Sequence, residues 1–130
     1  MYDGPIHYPG QPISTEDLSG VRLPAADRLV EVNMSQANKP FDRSCMVADM
    51  GCAIDVAKRA GLPLYCGEFG VIALAPWEVR RAWLRDVISL FEQFGIGWAN
   101  WDYKSNDFGI VDSNGESTGL AEAMLSSTLP

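Results

Sequence analysis

The stretch Leu62-Pro63-Leu64-Tyr65-Cys66-Gly67-Glu68-Phe69-Gly70 constrains the fold of this chain more than any other. A short apolar run bounded by turn-forming residues reads as a buried strand. A strand buried on both faces belongs to a parallel sheet with helices packed outside it. The run delivers one carboxylate, Glu68, between two glycines. The carboxyl end of such a strand is where α/β folds build their active sites. The competing reading is a Glu that merely opens a surface loop.

The flanking segments extend the pattern. Val79, Trp83, Val87 and Phe91 fall four apart, with Leu84, Ile88 and Phe94 beside them, and form the apolar stripe of an amphipathic helix. Arg80, Arg81, Arg85 and Asp86 are expected mostly on its solvent side. Pro76 suits the first turn and Gly95 the end. Ile96 to Trp101 is a second strand, so the order is strand, helix, strand, with a helix long enough for a parallel crossover. Upstream, Asp42 can cap a helix whose apolar and small positions include Met46, Met50, Ala53, Ile54 and Ala57, with Gly61 ending it. A last helix spans about Gly119 to Ser127, with Ser117 or Thr118 as its cap. Residues 1–40 hold five prolines and little periodicity, which implies loop with one short helix near Ala26 to Val32.

Composition narrows the chemistry. With 130 residues the chain is one domain or part of one, and 47% hydrophobic residues supply a core. A net charge of −7 argues against nucleic acid and anionic membranes as partners. Cys45, Cys52 and Cys66 show no C-x-x-C or metal spacing and are expected to be buried small apolar residues. No metal or other cofactor is expected. Asp102, Asp107 and Asp112 lack the alternation of a calcium loop and read as turn formers. The sequence contains no G-x-S-x-G, phosphate-binding G-x-x-x-x-G-K-[ST] or H-E-x-x-H pattern. Of the tryptophans, Trp77, Trp83 and Trp98 read as packing residues. Trp101, at a strand end, is the one placed to meet a ligand.

Three motifs in order, Gly67-Glu68-Phe69-Gly70, Gly95-Ile96-Gly97-Trp98-Ala99-Asn100-Trp101-Asp102-Tyr103-Lys104 and Phe108-Gly109-Ile110-Val111-Asp112, resemble the C-terminal part of glycoside hydrolase family 5 enzymes of the cellulase (endo-β-1,4-glucanase) type. Pro5 to Gly10 resembles the proline-rich loop after the sixth strand in some members. The resemblance implies the α/β architecture of a (β/α) barrel, of which residues 1–130 would be a partial domain. Residues 1–40 would be mostly loop, and 41–130 would hold the β/α units around strands seven and eight. It implies a retaining hydrolase acting on a β-glycan oligo- or polysaccharide, with Glu68 as nucleophile, Trp101 in the subsite of the attacked sugar, and Lys104 bordering the cleft.

The resemblance also implies that much is absent. A (β/α) barrel needs about 250 residues. The family's general acid/base Glu follows an Asn, and none of the glutamates here does. His7 does not match the family's sixth-strand pattern and reads as a loop residue. Retaining hydrolysis needs two carboxyl groups about 5–5.5 Å apart, one attacking carbon and one moving protons. The expectation is therefore a hydrolase fragment that is inactive alone, whose partner is the missing barrel half. The alternative is a noncatalytic α/β module kept as a sugar-binding or assembly remnant. No signal peptide is readable, so localisation stays open.

Overall fold

The computed structural model describes residues 5–20 and 38–125, and within them the helix boundaries follow their capping residues. The elements are α1 (Thr15–Gly20), α2 (Arg43–Ala60), β1 (Tyr65–Phe69), α3 (Trp77–Phe94), β2 (Gly97–Asn100) and α4 (Leu120–Leu125). Asp42 caps α2 by accepting from the backbone N–H groups of Ser44 and Cys45. The Ser44 side chain foremost, with these N–H groups, holds the Asp42 carboxyl below its ordinary value. The cap therefore stabilises the helix above the pKa of an unfolded Asp, and its contribution fades as pH falls through the lowered value.

Both long helices end in the same device. Gly61 (φ 65°) and Gly95 (φ 64°) adopt the left-handed conformation. Leu62 N–H reaches back to the Ala57 carbonyl and Ile96 N–H to that of Phe91. Each pairing satisfies a carbonyl that the helix end would orphan. Pro76 sits at the N-cap of α3, one position earlier than its first turn.

β1 and β2 form a two-stranded parallel sheet, with α3 as the crossover between them. Tyr65 pairs with Gly97 and Cys66 with Trp98, but Phe69 pairs with Asn100. β1 thus carries one residue more than β2 between these pairs, a bulge that contains Gly67 and Glu68. Phe69 is buried and lies edge-on to Phe91 (centroids 5.1 Å apart) and Trp98 (5.4 Å). Each such aromatic pair contributes about 0.5–1.5 kcal/mol beyond the area it buries. The carboxyl end of β1 is therefore pinned to α3 and β2 by a single side chain.

The core lies where α3 meets the sheet, α2 and α4, with Leu84, Ile88, Leu90 and Leu120 its most completely buried large side chains. The stripe of α3 runs through Leu84, Val87, Ile88 and Phe91 as expected. Arg80 departs from expectation: it is buried, not on the solvent side. It stands four residues before Leu84, so the helical period puts it on the same stripe. Its guanidinium lies 5.9 Å from the Trp77 ring, and burial lowers its pKa.

Other expectations also change. The strand expected within Leu62–Gly70 covers Tyr65–Phe69, and it is not buried on both faces: Tyr65, Gly67 and Glu68 are exposed. Among the described residues nothing packs on that face of the sheet. Nor are the cysteines buried. Cys52 is exposed, and Cys45 and Cys66 are half-buried. α1 was expected as loop. Its signal is Ser14-x-x-Asp17, in which the Ser14 hydroxyl accepts from Asp17 N–H and donates to the Asp17 carboxylate. The short helix expected near Ala26 to Val32 lies outside the described residues, as does the end of the last helix at Ser127. Thr118 does not cap that helix. Its hydroxyl ties to the Gly109 and Ile110 carbonyls, while Ser117 Oγ accepts from Gly119 N–H.

The N-terminal segment is fastened at three points, one of them the paired backbone hydrogen bonds between Gly10 and Phe41 (2.9 Å each). The Asn38 side chain, itself buried, accepts from Ile13 N–H (2.6 Å) and donates to Ile13 C=O (3.0 Å). Tyr8 donates its hydroxyl to Asp86 at 2.7 Å. Burial first, and this bond to a carboxylate second, push the Tyr8 pKa well above the usual phenol value. No described helix is long and apolar enough to cross a membrane.

Candidate active site

Parallel pairing brings the carboxyl ends of β1 and β2 side by side. Trp101 N–H, one residue past the end of β2, donates to the carbonyl of Phe69, the last residue of β1, at 2.7 Å. Glu68 and Trp101 therefore emerge at one end of the sheet. Both are exposed, Trp101 to 53%. A bulge re-aims the residue it holds, and here it lets Phe69 point into the core while Glu68 stays in solvent. Among the described residues the Glu68 carboxylate has no hydrogen-bond or ion-pair partner, so it is free to meet a ligand.

Gly70 explains how the two segments come so close. A Cβ added there would fall on the carbonyl oxygen of Trp101 and against the Phe108 ring. The third residue of the Glu-Phe-Gly run is thus a packing requirement of the site's backbone. Gly70→Ala is expected to push the two strand ends apart and to cost roughly 1–3 kcal/mol, the usual penalty of overpacking. A urea titration followed by tryptophan fluorescence measures it. An unchanged midpoint would mean that this close approach is not needed.

The loop after β2 is held by its own polar side chains. The Trp101–Asp102 peptide is cis. The Asp102 carboxylate accepts from the Ser105 hydroxyl at 2.9 Å, and Ser105 Oγ accepts in turn from the N–H groups of Asp107 and Phe108. Asp112 accepts from the N–H groups of Asn114 and Glu116, and its carboxyl is held below the usual value by backbone N–H groups, that of Glu116 foremost. Asp102 and Asp112 so act as loop organisers. Lys104 is exposed and bridges to Val111, which places it three residues from Trp101 on the same loop. Asn100 donates its amide to the Asp102 carbonyl at 3.2 Å. Among the described residues no group of three or more His, Cys, Asp or Glu side chains could hold a metal ion.

A wide hollow of about 540 Å³ lies beyond Gly70, between the N-terminal segment and α3. It is lined mainly by apolar side chains such as Phe41, Trp83 and Phe108, with His7 at its margin. Neither Glu68 nor Trp101 lines it. His7 is an exposed loop residue whose backbone N–H donates to Pro12 C=O. The arrangement at the sheet end can offer one nucleophilic or basic carboxylate, one aromatic platform and one ammonium group. Among the described residues no hydrogen bond joins a second carboxyl to that of Glu68.

No protein-family model matches the chain. Endoglucanase C of Acetivibrio thermocellus is 38% identical over 113 residues, which cover 87% of this chain and 32% of that protein. The chain thus spans about a third of the length of this curated relative. A solved endoglucanase structure superimposes with a TM-score of 0.57 at 28% identity, covering 64% of this chain and 27% of its own. Thermotoga maritima Cel5A, solved in complex with cellobiose, superimposes with a TM-score of 0.57 over 70% of this chain and 29% of its own. At 23% identity that likeness is one of fold alone.

Proposed function

We propose that this chain, which resembles the cellulase-type endoglucanases of glycoside hydrolase family 5 in sequence and in fold, is a part-barrel domain of a retaining β-1,4-glycanase. The observation that supports this reading best is the meeting of Glu68 and Trp101, both exposed, at the carboxyl end of two parallel neighbouring strands. In it, Glu68 is the nucleophile, Trp101 stacks on the attacked sugar, and Lys104 borders the cleft. Residues 41–130 supply the β/α units around the barrel's last two strands, and the acid/base comes from polypeptide outside this chain.

The chemistry follows from these roles. The Glu68 carboxylate attacks the anomeric carbon, and the bond to the departing oxygen breaks as that oxygen takes a proton from the acid/base. The resulting glycosyl ester is hydrolysed by water that the same acid/base deprotonates. Glu68 must be ionised at the start. Trp101 offers a broad apolar face to the C–H face of a pyranose while the hydroxyls remain hydrated.

Trp101→Ala tests the platform. With the rest of the barrel supplied, the substitution is expected to weaken binding of a β-1,4-gluco-oligosaccharide about tenfold or more, on the scale of about 1–3 kcal/mol for an aromatic stacking contact. Calorimetry gives the binding change, and release of reducing ends from a soluble cellulose derivative gives the turnover. Unchanged affinity would remove Trp101 from the subsite. A noncatalytic sugar-binding remnant would show the binding loss with no turnover in either protein.

A further inference from the structure

We propose that the N-terminus of α3 and the Arg80 guanidinium together form an oxyanion site, which takes a carboxylate or a phosphate at the same end of the sheet as Glu68 and Trp101.

The helix start supplies donors. Pro76 stands at the N-cap and makes no side-chain cap bond, unlike Asp42 at the head of α2. The first backbone bond of the helix runs from Arg80 N–H to the Pro76 carbonyl at 3.0 Å. Among the described residues the N–H groups of Trp77, Glu78 and Val79 therefore stay without a partner. The aligned peptide dipoles of an 18-residue helix add partial positive charge at this end. Trp77 and Glu78 are exposed, so the turn opens to solvent.

Every helix leaves such donors unpaired; Arg80 sets this one apart. It is only 8% exposed, and its Nε is buried with no hydrogen-bond partner. The guanidinium lies 5.9 Å from the ring of Trp77, the first residue of the helix, so the charge sits over the first turn. That ring is itself seated, since a Cβ added at Gly119 would come within 3.0 Å of it. Among the described residues no carboxylate forms an ion pair with Arg80. The ion pair of this turn joins exposed Glu78 to exposed Arg81 at 2.9 Å. A guanidinium does not shed its proton, and a buried charge without a counter-charge is costly. The Trp77 face offsets part of that cost. An oxyanion bound between the guanidinium and the free amides would offset more, because both donor types suit carboxylate and phosphate.

α3 is the crossover that follows β1, so it begins at the carboxyl end of that strand, where Glu68 and Trp101 also emerge. A carboxylate would come from an acidic sugar unit of a glycan, a source that rests on the proposed function. Free phosphate is the other source, and the site itself does not depend on the role of Glu68.

The test titrates the chain with glucuronate, with inorganic phosphate and with glucose as neutral control, at constant ionic strength. Calorimetry reads affinity, and NMR reads the Arg80 Nε–H resonance. At least one anion is expected to bind at millimolar concentration and to shift that resonance, while glucose does neither. Arg80→Met is expected to weaken anion binding about tenfold or more, since the charge-assisted bonds are lost. Glu78→Gln is expected to tighten it about two- to fivefold, because a carboxylate in the first turn competes with the anion for the helix end. Glu78 is exposed, so this second variant keeps the test valid if the first fails to fold. Tighter binding of glucuronate than of phosphate would support the site with an acidic glycan as its source, and the reverse order would support it with free phosphate. No binding of either anion, binding matched by glucose, or affinity unchanged by Glu78→Gln would overturn the proposal. None of these readouts uses catalysis, so the oxyanion site can fail while Glu68 stands as nucleophile, and the reverse.

Discussion

In a barrel completed by its remaining strands, Glu68→Gln is expected to lower hydrolysis of a β-1,4-glucan by roughly 10⁴-fold or more, on the scale seen when a covalent nucleophile is removed. The change keeps the shape of the side chain and replaces one carboxylate oxygen by an amide nitrogen. Glu68 is exposed and makes no side-chain contact that the fold depends on, so stability should hold. Sugar binding should hold as well, because Trp101 and Lys104 are untouched. A Glu68→Ala variant separates a nucleophile from a mere electrostatic neighbour. With azide and a β-glycoside of a good leaving group, azide takes the vacated position and attacks the anomeric carbon, and the phenolate departs without needing a proton. A single displacement inverts that carbon, so the product is the α-glycosyl azide. The wild-type route displaces twice and retains configuration. Full turnover by Glu68→Gln, or β-configured azide from Glu68→Ala, would rule Glu68 out as nucleophile.

The helix ends and the pairing of the strands were legible because their causes are local. Asp42, Gly61 and Gly95 act within one helical turn, and a strand–helix–strand order with an 18-residue crossover fixes parallel neighbours. The common end of Glu68 and Trp101 follows from that. The bulge at Gly67 and Glu68 was not legible, since an extra residue exists only relative to the register of its partner strand. Exposure was misread for a related reason. Tyr65 and Cys66 have the composition of a buried strand, but burial depends on which layers are present, and among the described residues no strand pairs with the outer edges of the sheet and Tyr65 stays exposed. Cys52 was read by residue type alone, though it sits on the outward side of α2. Arg80 was classed by charge, while its position four residues before Leu84 put it on the apolar stripe.

The chain alone is expected to release no reducing ends from a soluble cellulose derivative above the uncatalysed background, and the missing strands supplied in trans should restore turnover. Proton transfer by a positioned acid/base contributes about 10²–10⁴-fold. Correct placement of the sugar against the nucleophile adds a separate and larger factor that the absent strands would provide. A leaving alkoxide without a proton is poor, so the first displacement should suffer most. Activated aryl glycosides, which leave unaided, should therefore regain more activity with the lone chain than cellulose derivatives do. One alternative acid is Asp102, the residue after Trp101 at the same sheet end. Its carboxylate already accepts from Ser105 and organises the loop, so it is poorly placed to serve as a proton donor. Robust cellulose hydrolysis by the lone chain, abolished by Asp102→Asn with the fold intact, would make Asp102 the acid/base and end the requirement for a second polypeptide. Hydrolysis insensitive to that substitution would mean that another carboxyl of this chain reaches the site.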